Sequence, residues 1–199
     1  MMFHFPRNHG SKLYNYVPRS RYVERSGDFG RLNAHAIGVV NKVEAAGKTA
    51  AVNPATMALF FIGWDERVRC QGQTTGFGTA EATRVFRALT VRTAKAAAAA
   101  IRSHDLSPEL AARCDAVAAT ITTLVRHSPE WCEEWGVHGA AEAILANLTT
   151  AVEADQLFTK VMNDSARACS LSPFNSWFIL QALSKLGRHD FALAYVRVR

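Results

Sequence analysis

The sequence predicts an all-α protein built as an array of αα-hairpins, either an open solenoid or a closed toroid. Three observations predict it. From Thr79 onward, apolar residues recur at i, i+3, i+4 and i+7, the period of a half-buried helix. Helix start and stop signals interrupt that period at short intervals. Helices apolar almost all round alternate with helices carrying a single apolar stripe, as an inner and an outer layer would.

The elements follow in order. Ala82, Val85, Phe86, Leu89, Thr93, Ala96 and Ala97 line a first helix, and the five alanines at 96–100 add helix propensity. His104-Asp105 breaks it. Ser107-Pro108 then supplies an N-cap and a proline suited to the first helical position. Leu110, Cys114, Val117, Ala118, Ile121, Leu124 and Val125 form the next stripe. A third helix runs from about Val137 to Ala146. Thr150 with Glu153 makes a capping box for a fourth, lined by Ala154, Leu157, Phe158 and Val161. Ser172-Pro173 opens a fifth helix that Gly187 terminates, and Phe191 to Arg199 forms a sixth. The helices pair as hairpins over 79–127, 137–163 and 173–199. Residues 1–55 show no sustained period and are expected to be an irregular N-terminal segment, with 56–199 as the helical domain. Within that segment, Ala36-Ile37-Gly38-Val39-Val40 reads equally as a strand or as the start of a helix.

Composition narrows the function classes. Apolar residues make up 49% and charged residues 20% of the 199, so wholesale disorder is excluded. No run of about 18 apolar residues occurs, and no membrane span is expected. The first residues lack the apolar core of a secretory signal, which makes a cytoplasmic location with reduced thiols the default. The net charge of +6 is uneven. Residues 1–60 hold 8 basic against 3 acidic residues, while 61–199 hold 15 against 14, so no dense basic patch marks a nucleic-acid partner. Cys70, Cys114, Cys132 and Cys169 form no C-x-x-C pair, and no His stands at zinc-finger spacing from them. No metal and no cofactor is expected. Gly47-Lys48-Thr49 imitates the end of a P-loop, but Lys42 stands where the loop needs its first glycine.

Several clusters can carry chemistry. Arg84, Arg87, Arg92 and Lys95 share one arc of the first helix, readable as an anion site or, more simply, as a solvated basic face. The segment Glu130 to Gly139 packs Trp131, Trp135, Glu133, Glu134 and His138 into a loop feeding an apolar helix. Indole faces stack on sugar rings, and carboxylates and imidazole bond hydroxyls or move protons. The simpler reading has the tryptophans plugging the gap between hairpins. Asn175, in the first turn of a mostly apolar helix, is the polar exception there. Asp65 and Glu66 are adjacent, so they point apart and do not make a catalytic pair with each other.

Together these segments resemble a known family. The run from Trp135 to Ile144, the stretch Cys169 to Asn175, and Leu180 to Leu193 with its Leu-Gly-Arg-His-Asp core look like the six-hairpin domain of α-L-rhamnosidases. The resemblance covers about residues 80–199 and is fainter over 56–79. It implies a partial (α/α)6 toroid, about three of six hairpins, from an inverting glycoside hydrolase acting on terminal rhamnosides. Inversion needs two carboxyl groups about 6.5–9.5 Å apart. Trp64-Asp65-Glu66-Arg67 is similar to the family's acid segment, although Phe60 and Gln73 stand where flanking acids are expected. The family's base lies after a Trp-Gly that residues 1–199 do not reach. The resemblance makes Glu66 and Glu134 the best remaining catalytic carboxylates and assigns Asp65, Trp135, His138 and Asn175 to a carbohydrate ligand. It leaves little or no hydrolysis expected of the chain. A half ring would also bare apolar hairpin faces for self-association. The other function class is a helical-hairpin interaction module without a sugar site.

Overall fold

The computed structural model describes residues 29–52, 80–127, 131, 135–163 and 173–198. Among these residues every regular element is helical: α1 (Phe29–Ala51), α2 (Ala80–Ser103), α3 (Pro108–Val125), α4 (Val137–Leu145), α5 (Ala151–Leu157), α6 (Pro173–Lys185) and α7 (His189–Val198). A π-helical turn, Phe158–Met162, extends α5.

One expectation is corrected at the outset. Residues 1–55 are not irregular throughout, because 29–51 form α1. Of its buried residues, Ala36, Val40, Val43, Gly47 and Ala50 are spaced 4, 3, 4 and 3 apart, one continuous seam on a helix, with Ala46 beside it. The seam packs on α2 and α3. A Cβ built on Gly47 would lie 2.7 Å from Val117 Cγ1, so the absent side chain lets α1 approach α3. The P-loop imitation therefore sits inside a helix, where the Thr49 hydroxyl donates to the Ala45 carbonyl at 3.0 Å.

The expected start and stop signals operate. Ser107 Oγ accepts from the Leu110 N–H, with Pro108 opening α3. Both halves of the Thr150–Glu153 capping box are present. The ends of α2, α4 and α6 share one device that the sequence revealed only at Gly187. Asp105, Asn147 and Gly187 have φ of 50°, 53° and 68°. After each, the next amide reaches back five residues, Leu106 to Ile101, Leu148 to Ala143 and Arg188 to Leu183. The same left-handed Schellman turn thus redirects the chain three times from one helix of a hairpin to the next.

Side-chain pairs set the directions. Arg92 meets Glu142 and Lys95 meets Ala146, so α2 and α4 run parallel. His138 meets Phe178 and Lys185 meets Ile144, so α4 and α6 run parallel as well. Arg102 pairs with Asp115, and Ser176 with Tyr195, which makes α3 and α7 antiparallel to their hairpin partners. Asp155 pairs with Arg188 and Phe158 with Phe191, so α5 and α7 agree in direction.

The result is a parallel inner row, α2–α4–α6, backed by an outer layer of α3, α5 and α7, with α1 beside the first hairpin. Burial follows the layers. Val137 to Ile144 of α4 are all buried, whereas α5 and α7 turn most of their residues to solvent. The inner-and-outer hairpin array is what the sequence predicts. Nothing among the described residues closes the row into a ring.

Candidate functional site

Parallel inner helices place their starts at one end of the row. Trp135, Gly136 and His138 enter α4 there, and the first turn of α6, which carries Asn175, begins at the same end. Asp65, Glu66 and Glu134 lie outside the described residues, and Asn175 is placed by its helix position alone. The structure therefore brings 135, 138 and 175 to one end of the array.

The tryptophans here are packed. Trp135 is 2% exposed and meets Trp131 edge to face, with ring centroids 5.4 Å apart. Trp131 Nε1 donates to Glu153 Oε1 at 3.1 Å, and the Arg126 guanidinium lies 5.3 Å over its ring. Arg126 also grips both oxygens of Glu153 at 2.8 and 3.0 Å. Burial opposes the charge on Glu153, but bonds from the Thr150 amide, Trp131, Arg126 and the Thr150 hydroxyl outweigh it and draw the carboxyl down to about 2. This knot joins the end of α3 to the start of α5. Trp131 thus fills the gap between hairpins, and neither indole offers an open face for stacking.

His138 is 7% exposed and stacks on Phe178 of α6 at 6.4 Å. Burial and the nearby Arg92 hold its imidazole down at about 3, so the ring is neutral at physiological pH. One helical turn later on α4 lies Glu142, fully buried. Arg92 Nη2 of α2 stands 3.3 Å from Glu142 Oε2, within ion-pair reach, yet neither carboxylate oxygen accepts a hydrogen bond. Burial drives this carboxyl up to about 7, against the pull of Arg92. The Arg92 guanidinium also lies 5.0 Å over the Phe178 ring. Arg92, His138, Glu142 and Phe178 therefore form one polar junction where the three inner helices meet.

The basic arc of α2 is neither an anion site nor a solvated face at three of its four positions. Arg87 Nε donates to the Ala50 carbonyl at 3.0 Å. Arg92 enters the junction. Lys95 Nζ donates to the carbonyls of Ala146 and Asn147, where Lys185 from α6 also reaches Ile144 and Asn147. The two lysines satisfy the last carbonyls of α4.

The sequence reading missed Arg92, Glu142 and Phe178 as a unit. A signal was there: Glu142 is the single acid in the apolar stretch 137–146, four residues after His138, on the same helical face.

Among the described residues, no group of three or more His, Cys, Asp and Glu can hold a metal ion, and no helix is long and apolar enough to cross a membrane. Comparison of the chain with protein-family models, with curated proteins and with solved structures found no match.

Chemically, the junction holds one largely buried permanent cation, one buried carboxyl poised near neutrality and one buried neutral imidazole.

Proposed function

We propose that the chain is a partial hairpin-array domain of the α-L-rhamnosidase type, which takes a terminal saccharide at the end of the array where its inner helices begin. The observation that supports this best is the parallel inner row. Helices of one direction put 135, 138 and the first turn of α6 at the same end, and the direct packing of α4 on α6 keeps those two starts side by side. Trp135 and His138 serve as the packed floor of that end, and direct hydroxyl contact falls to Asn175 and to the neighbouring loop carboxylates, Glu134 first. Glu66 is the best acid for any hydrolysis, with Asp65 beside it. Glu142 takes no part, because a carboxyl with no exposed surface cannot reach a glycosidic oxygen.

A titration of intrinsic tryptophan fluorescence with rhamnose and an aryl rhamnoside tests the reading. A saturable change, lost in Asn175→Ala, is expected, with little or no turnover. No response at high millimolar sugar would sink the proposal. Turnover abolished by Glu66→Gln would instead show that a working carboxyl pair is present.

A second reading, a non-catalytic interaction module, is favoured by a different observation. Trp177, Leu193 and Val196 on α6 and α7 are each 57% exposed. Apolar side chains so exposed on neighbouring helices suit a protein contact better than a sugar. Concentration-dependent sedimentation that Trp177→Ser abolishes, with no sugar response, would select this reading.

A further inference from the structure

We infer that His138 and Glu142, a base and an acid buried a turn apart on one face of α4, form a pair at the inner-row junction whose contributions to stability run in opposite directions with pH. The geometry carries this. Both side chains lie on one face of α4, a turn apart, with 7% and no exposure respectively. Charging either one therefore costs desolvation. Among the described residues, these groups face them. Arg92 of α2 stands 3.3 Å from the Glu142 carboxylate without a hydrogen bond to it. Lys95 of α2 and Lys185 of α6 are committed to the carbonyls at the far end of α4. From α6 the group against His138 is the uncharged ring of Phe178. The π turn packed on α4 buries Val161 and Met162 and leaves Lys160 exposed.

The signs are fixed by these surroundings. Burial first, and then the permanent charge of Arg92, disfavour an imidazolium, so folding strips the proton from His138, which is held down at about 3. The unfolded chain then binds the extra proton between about pH 3 and the ordinary histidine value near 6.5, and stability rises with pH through that window. Glu142 behaves oppositely. One misaligned cation does not repay the desolvation of its carboxylate, so the folded chain keeps the proton up to about 7, and stability falls with pH from about 4.5 to 7. The two windows overlap from about 4.5 to 6.5, where the folded and unfolded chains hold the same number of protons at this pair. Above neutrality the junction carries the Arg92–Glu142 pair, net neutral. Below it, Arg92 keeps its charge against the face of Phe178 alone.

Chemical denaturation of the full chain from pH 3.5 to 8, compared with Glu142→Gln and His138→Asn, tests the pair. Differences from wild type are what count, because the contributions of Glu44 and Glu153 then drop out. Removing Glu142 should make the variant gain on wild type by about tenfold in the folding constant per pH unit between 4.5 and 7. Removing His138 should make its variant lose on wild type at about the same rate between 3.5 and 6.5. Two difference curves of opposite slope support the inference. Flat curves, or slopes of one sign, overturn it. Should either variant fail to fold, the wild-type protein still decides by NMR. A His138 ring resonance unmoved down to pH 4.5 supports the inference, and a midpoint near 6.5 overturns it.

Discussion

The first hairpin, with α1 at its side, and the α4–α6 half of the inner row are held by different means. The α2–α3 hairpin closes on small apolar residues: Ala88, Ala94, Ala97, Ala98, Ala111, Cys114 and Ala118 are all buried, with Phe86, Leu89, Ile101 and Ile121 as the large members. Between its own helices and α1 the charges work at the rim, where Arg113 grips Glu44 and Arg102 meets Asp115. The α4–α6 half keeps a charge inside, where its Glu142 faces Arg92 reaching over from α2, and its central helix is finished by Lys95 of α2 and its own Lys185. Small residues let backbones approach, so contact area grows without polar cost. A nine-residue helix offers little such area, and here buried polar groups fix which faces meet. The first region draws its stability from fit, and the second gives up some stability for a defined register.

Substitutions in the two regions should therefore respond differently. The largest effect is expected at Phe86, fully buried in the first region. Phe86→Ala should cost about 3–5 kcal/mol in urea unfolding, independent of pH. Arg92→Met should behave differently. It leaves Glu142 buried without its cation, so the loss should reach about 3 kcal/mol at pH 8 and shrink at pH 5, where the carboxyl holds its proton. Equal losses at both pH values would erase the distinction between the two regions.

Smaller effects test fit within α1. Gly47→Ala brings a Cβ to 2.7 Å from Val117 and should destabilise by roughly 1 kcal/mol despite the better helix propensity. Gly38→Ala meets nothing within 4 Å and should stabilise by about 0.5–1 kcal/mol. Thermal melts of the two variants should therefore move in opposite directions. The smallest change is expected for Arg102→Ala, whose ion pair lies half exposed. Its denaturation midpoint should shift by less than about 0.5 kcal/mol, and a larger shift would mean that rim charges matter more than the small-residue seams.

The helices after Thr79 were legible because each carries its own punctuation. Ser107-Pro108, the Thr150–Glu153 box and Gly187 are local devices, readable without knowing what packs nearby. Helix α1 was not read because its seam is made of Ala, Val and Gly, and the glycines at 38 and 47 look like loop residues until α3 is seen to need the second one. The turn at Asn147 was missed for a similar reason, since a left-handed asparagine has no marker as plain as Gly187. In the candidate site, the placement of the starts of α4 and α6 at one end followed from the hairpin pattern. The partnership of Arg92 with Glu142 did not, because it joins residues fifty positions apart and depends on the inner helices running parallel. The same long-range fact explains why an arc of basic residues on α2, solvated by any local reading, is largely tied to neighbouring helices.

Setting neighbouring helices in one direction has an electrical consequence. Peptide dipoles aligned side by side repel, and the partial negative charge at their carbonyl ends accumulates on one side of the row. The ammonium groups of Lys95 and Lys185 converge on that side, on the middle helix of the three. At the other pole Gly136 precedes α4, so the cap residue itself makes no side-chain bond to the first turn. The positive ends of the same dipoles gather there, and the field across the row should fade as added salt screens it.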